Sequence, residues 1–114
     1  MMNTDFETIA KAIGHVSRLR ILKLLERGEA PVGQVRTVLG LAPATVSKHL
    51  TILRRAGLVF LRQEGRELYC RLADHPRNPF VRPAFRLVDA ATEIDPLVAA
   101  DRRRLDELRS RRAA

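Results

Sequence analysis

Residues 31–66 constrain the fold more tightly than any other stretch of the chain. Pro31 to Leu39 carries a helical stripe of Val32, Val35, Val38 and Leu39, and Gly40-Leu41 then supplies a sharp turn. Pro43 restarts the chain as a second helical pattern, in which Val46, Leu50 and Leu53 stand at i, i+4 and i+7. That spacing puts all three on one inward face. The opposite surface is Ala44, Thr45, Ser47, Lys48, Thr51 and Arg55, and Ala56-Gly57 ends the helix. Two alternating runs, Leu58 to Arg62 and Glu67 to Leu72, follow as strands joined by four residues that include Gly65. Within the window Arg36, Lys48, Arg54, Arg55, Arg62 and Arg66 face a single acid, Glu64. A helix-turn-helix with a hairpin wing and almost no acids is what a surface pressed on nucleic-acid phosphates requires.

The flanks supply further helices. Thr4 followed by Glu7 forms a capping-box pattern, opening a first helix with Phe6, Ile9, Ala10 and Ile13 on one side and Gly14 at its end. Ser17 is placed to cap a second helix, rich in Leu19, Leu22 and Leu25, which Gly28 closes. Pro31 suits the first turn of the third helix, where its missing N–H would have no partner anyway. After Asp74 the Pro-interrupted segment reads as a connector into a helix of Pro83 to Glu93. Asp95-Pro96 then starts a last helix running toward Ser110, whose seam of Leu97, Val98, Leu105 and Leu108 is too narrow to hold alone and needs a partner surface. The expected class is mainly α with a small β-hairpin.

Composition bounds the function. The 114 residues suit a single domain, 1–114, with one modest core. A pI near 11.2 and a net charge of +8 favour a polyanionic partner. Basic residues are mostly arginine, which suits bidentate phosphate or guanine contacts, although GC-rich coding raises arginine too. Cys70 is the one cysteine, so no internal disulfide or multi-cysteine metal cluster can form within a chain. Met1-Met2-Asn3-Thr4-Asp5 has no secretory pattern, and the most apolar segment, Leu19 to Leu25, is broken by Arg20 and Lys23. A cytoplasmic protein with no membrane segment is expected.

The run Ser17-Arg18-Leu19-Arg20-Ile21-Leu22-Lys23-Leu24-Leu25 resembles the second helix of ArsR/SmtB-type (arsenic-repressor-like) regulators. So do Ala44-Thr45-Val46-Ser47-Lys48-His49-Leu50-Thr51-Ile52-Leu53-Arg54-Arg55-Ala56-Gly57-Leu58-Val59 and the wing Gln63-Glu64-Gly65-Arg66-Glu67-Leu68-Tyr69. The match covers about residues 6 to 72, in order and spacing. It implies a winged helix-turn-helix (31–57, with the wing at 58–72) that dimerises through segments 1–16 and 83–112. The implied function is a homodimeric repressor at an inverted-repeat operator in double-stranded DNA. Recognition helix 43–56 would enter the major groove, and wing 62–66 would lie on the backbone.

Carried onto this chain, Ala44, Thr45, Ser47 and Lys48 would face bases or nearby phosphates, with His49 at the edge of that surface. Arg36, Thr51, Arg55, Arg62 and Arg66 complete the candidate DNA surface, with Arg62 and Arg66 expected on the hairpin tip. Relatives commonly carry a polar residue where Pro43 or Ala44 stands; Ala44 retains only contact with a thymine methyl.

Family metal sites do not transfer. Pro31 to Leu39 lacks the cysteines of one such site, and no histidine follows His75 to build the other. His15, His49 and Cys70 stand on separate elements without ligand spacing. No cofactor and no metal are expected, and persulfide sensing would need two thiols per chain. A small-molecule inducer at the dimer interface and control by abundance alone are both left open.

Other features take plain roles: Cys70 as a small buried hydrophobe, Asp89, Glu93 and Asp95 as capping or solvated acids, and Arg102-Arg103-Arg104 as a solvated or dimer-flanking face. The alternative is a winged helix that binds protein or RNA without operator specificity. One Tyr, four Phe and no Trp give it no stacking array. No Ser/His/Asp cluster, phosphate-cradling Gly loop or paired acid supports an enzyme.

Overall fold

Asn3, not Thr4, opens the first helix: its Oδ1 accepts the Phe6 amide at 3.1 Å, so the helix starts one residue earlier than the capping-box pattern implies. In the computed structural model, which describes residues 3–113, the elements are α1 (Thr4–Ile13), α2 (Val16–Leu25), β1 (Ala30–Pro31), α3 (Val32–Leu39), α4 (Pro43–Arg55), β2 (Val59–Glu64), β3 (Glu67–Leu72), α5 (Val81–Thr92) and α6 (Pro96–Ala113). Met1, Met2 and Ala114, at the ends of the expected domain, lie outside the described residues, as do the side chains of Arg112 and Ala113. His15 rather than Ser17 caps α2, its Nδ1 accepting the Ser17 amide at 3.1 Å.

The sheet has three antiparallel strands in the order β1-β3-β2, where the sequence suggested two. Ala30 and Pro31 pair with Cys70 and Tyr69. Pro31 therefore ends an edge strand and flanks α3 instead of lying in its first turn, with φ −61° and ψ 138°. The fixed φ of proline serves either place, and an edge strand has no need of its missing N–H. A two-residue pairing partner this short leaves no alternation to read.

The hairpin is tighter than the four-residue loop expected. Glu64 pairs with Glu67, leaving Gly65-Arg66 as a two-residue turn. Gly65 has φ +60°, while no described non-glycine residue has positive φ, which excludes a type I′ turn and fits II′.

The core is built from α2 outward. Ile21, Leu22, Leu24 and Leu25 are at most 2 % exposed, and they meet Val35, Val46, Leu50, Leu53, Leu58, Val59 and Cys70. Each such aliphatic side chain contributes about 1.5–3 kcal/mol by leaving water. The α6 seam finds its partner inside the chain: Leu105 is fully buried, Val98 is nearly so, and the helix packs against α2 and α3.

Ion pairs fasten this layer. Arg20 of α2 donates Nε and Nη2 to Asp101 of α6, at 2.8 and 3.0 Å. Lys23, itself buried, bridges Glu26 and Asp89 at 2.6 and 2.7 Å, and Arg102 reaches Glu26 at 2.7 Å. Asp89 is thus a structural partner; Lys23 beside it holds its carboxyl below the usual range, helped by a hydrogen bond with Glu26. Asp95 caps α6, accepting the Leu97 amide at 2.8 Å.

Candidate nucleic-acid interface

The α3–turn–α4 unit owes its shape to two residues. Gly40, at φ +67°, ends α3 in the left-handed region, and its amide donates to the Arg36 carbonyl at 2.9 Å. An L side chain there would add strain, which is why glycine suits this C-terminal cap. Pro43 is the first residue of α4, where its fixed φ fits and no amide is wasted.

Amphipathic spacing then orients α4. Val46, Leu50 and Leu53 are 1 %, 2 % and 0 % exposed against the core, while Ala44, Thr45, Ser47 and Lys48 are exposed. Arg36 on α3 and Arg55 at the end of α4 are exposed as well. Thr51 is half-buried, and its hydroxyl donates back to the Ser47 carbonyl at 2.9 Å. No acid occurs from Ala30 to Gln63, so this face carries uncompensated positive charge.

Two predicted residues lie elsewhere than expected. His49 is only 8 % exposed and lies in the seam between α2 and α4, lining a cleft with Ala44, Thr45 and Lys48 instead of standing open beside them. Standing three residues after Val46 and one before Leu50, it shares the flank of the buried stripe. Its ring centroid is 4.6 Å from that of His15. Burial, then the charges of His15, Arg18 and Lys48, push its pKa below the ordinary 6.5. Arg62 lies within β2 rather than on the hairpin tip, facing Glu29 at 2.6 Å and Glu64 at 3.2 Å, with its guanidinium 4.6 Å from the Tyr69 ring centroid. Its charge is already opposed. Arg66 alone of the two occupies the turn, and it is exposed.

His15 and Arg18 lie outside the set of residues expected from the sequence. They join Thr45, Lys48 and His49 around a cleft of about 550 Å³ between α2 and α4. The available signal was the acid-free run from Thr8 to Leu25, but it also contains Arg20 and Lys23, which turn inward to carboxylates. A second cleft, of about 790 Å³, brings Arg55 next to Asp5, His75 and Arg77.

Cys70 is fully buried, 3.6 Å from the Ala30 carbonyl, and burial followed by the Glu29 charge pushes its thiol up to about 12. A thiol so protected is a packing group, not a nucleophile. Among the described residues, no group of three or more His, Cys, Asp or Glu could hold a metal ion, and no helix is long and apolar enough to cross a membrane.

Comparison with known proteins agrees with this geometry. Residues 15–59 match the family described as bacterial regulatory protein, arsR family. The HTH-type transcriptional regulator CmtR of Mycobacterium tuberculosis is 38% identical over 95 residues, covering 83% of this chain and 78% of that protein. The biofilm growth-associated repressor of Agrobacterium fabrum is 29% identical over 90 residues, covering 79% of this chain and 77% of the repressor.

Among solved structures, a homodimeric winged helix-turn-helix DNA-binding domain from Mycobacterium bovis superposes with a TM-score of 0.66 at 34% identity, covering 78% of this chain and 79% of that one. The transcriptional repressor BigR of Xylella fastidiosa gives 0.64 at 28% identity, covering 79% and 85%. With its helix-turn-helix, its wing and these relatives, the chain belongs to the arsR family of bacterial transcriptional regulators.

Proposed function

We propose that this regulator is a cytoplasmic homodimeric repressor that binds an inverted-repeat operator in double-stranded DNA and is not governed by a metal. The observation that carries the reading is the acid-free α3–turn–α4 unit, which exposes Ala44, Thr45, Ser47 and Lys48 on the face opposite the buried Val46, Leu50 and Leu53. Helix 43–56 would read the major groove, and Arg66 at the turn of wing 62–66 would anchor the flanking backbone. Arg36 and Arg55 would add phosphate contacts from the two ends of the unit. The whole of 1–114 acts as one unit, with helix-turn-helix 31–57 and wing 58–72.

The dimer reading rests on an apolar groove of about 330 Å³ between α1 and α5. Phe6 and Leu87 line it while 47 % and 60 % exposed, and Phe6 meets Phe80 edge to face at 5.8 Å. Segments 1–16 and 83–112 would contribute, with α1 and α5 dominating because α6 spends its apolar seam inside its own chain. The Mycobacterium bovis domain is described as homodimeric. A two-fold axis through the groove would present two copies of α4 to one duplex, matching a palindromic site.

Selection from random DNA with the full-length protein tests this reading. A short inverted repeat is the expected product. Enrichment of no duplex sequence, or tighter binding of single-stranded RNA, would contradict it. Strong thermal stabilisation by zinc or arsenite would overturn the non-metal part.

A further inference from the structure

The seam between α2 and α4 collects basic side chains and no acid. His15 and Arg18 come from the start of α2; Thr45, Lys48 and His49 come from the first two turns of α4. Two polar atoms here are sealed from solvent without a hydrogen-bond partner: Nδ1 of His49, in a side chain 8 % exposed, and Nε of Arg18. Leaving such a group unpaired carries its full desolvation penalty. Other half-buried guanidinium groups have partners: Arg20 pairs with Asp101, Arg71 with Asp74 and Arg102 with Glu26, and Arg109 donates to backbone carbonyls. Arg18 has no carboxylate partner among the described residues. The α2 N-terminus, with its partial positive charge, begins beside the same cleft at Val16.

We infer that this cleft holds one phosphodiester oxyanion of the DNA backbone, with Arg18 and Lys48 as its charged ligands and His15 at its rim. The inference rests on the proposed DNA binding and assigns two residues outside the helix-turn-helix to it. Lys48 becomes a sequence-independent anchor, leaving Ser47 to meet the bases, with Ala44 and Thr45 on the border between cleft and groove. His49 is a positioning residue: its ring meets that of His15 at a tilt, 4.6 Å between centroids, and holds the start of α2 against α4. Free inorganic phosphate shares the oxyanion chemistry and is the competing occupant.

Anisotropy titrations of the full-length protein, over a series of salt concentrations, decide the matter. Both the selected operator and a random duplex of equal length are used. Arg18→Gln and Lys48→Gln each weaken binding to both duplexes by the same factor. The slope of log K against log salt falls by about 0.9 for each cleft engaged. Arg18→Lys keeps the charge and restores most of that slope. An unchanged slope in Arg18→Gln, or a loss confined to the operator, overturns the assignment. A wild-type protein that binds no duplex removes the proposed function along with it, whereas normal binding with an unaltered slope removes only the cleft.

Should Arg18→Gln fail to fold, the wild-type histidine ring resonances give an independent reading. Random duplex shifts the signals of His15 and His49. Signals that ignore duplex, or that saturate with micromolar inorganic phosphate alone, mark a small-anion site and contradict the inference.

Discussion

Arg20 and Asp101, eighty-one residues apart, form a two-point ion pair at 2.8 and 3.0 Å that joins α2 to α6. Their side chains are only 16 % and 7 % exposed. The hydrogen bond to Asp101 raises the Arg20 pKa despite partial burial, so the guanidinium stays charged at any ordinary pH. Removing one partner strands the other charge in a poorly solvated place. Asp101→Ala should therefore destabilise the fold by about 3 kcal/mol, at the lower end for a buried pair because Arg20 keeps some contact with water. Urea unfolding measures this, and a loss below about 1 kcal/mol, the level of a surface pair, would show that the bridge is not structural.

His49 predicts a pH dependence. Its folded pKa is depressed by burial and by His15, Arg18 and Lys48, whereas the unfolded chain titrates near the ordinary 6.5. Between those values the unfolded state binds more protons, so this group's contribution makes stability rise with pH across the window and fall on acidification. Lowering the pH from about 7.5 to 5.5 should reduce Tm in the wild type. His49→Gln should flatten that part of the profile. Identical profiles for the two proteins would mean that the buried imidazole does not resist protonation.

The two wing arginines should behave differently. Arg66 stands exposed at the turn, so Arg66→Ala should weaken binding to every duplex and lower the salt slope by about 0.9 per phosphate lost. Arg62 is already matched by Glu29 and Glu64. Arg62→Ala should alter the slope less than Arg66→Ala does. The reverse order in a salt titration would mean that Glu29 releases Arg62 when DNA arrives.

Leu87, 60 % exposed on the α1/α5 groove, tests the dimer. Leu87→Arg should leave the monomer folded, as judged by circular dichroism, while shifting sedimentation toward a single chain. Affinity for the inverted repeat should fall about a hundredfold or more, since one reading head then binds without the other. A variant that still sediments as a dimer would place the interface elsewhere.

Much of this architecture was legible because periodicity and turn chemistry pointed the same way. Val46, Leu50 and Leu53 on α4, Gly40 at the turn and Pro43 at a helix start are all local signals. Partners distant in sequence were not legible. Ala30-Pro31 is too short to carry a strand pattern, and its pairing with Cys70 and Tyr69 depends on a contact some forty residues away. The Leu105 seam announced a need for cover without naming α2 and α3 as the cover. His49 was ambiguous because one position of helical phase separates the open face of α4 from its buried flank. Arg62 could be read as exposed from the hairpin pattern, but Glu29, beyond two intervening helices, decides its environment.

The most direct measurement is the stoichiometry and preference of the purified chain on DNA. A labelled duplex carrying the selected inverted repeat is titrated against excess random competitor, and the complex is then sized by sedimentation. The account predicts two chains on one repeat, with a clear preference over bulk duplex that is lost when one half-site is scrambled. A single chain bound, or equal affinity for the scrambled and intact sites, would contradict it.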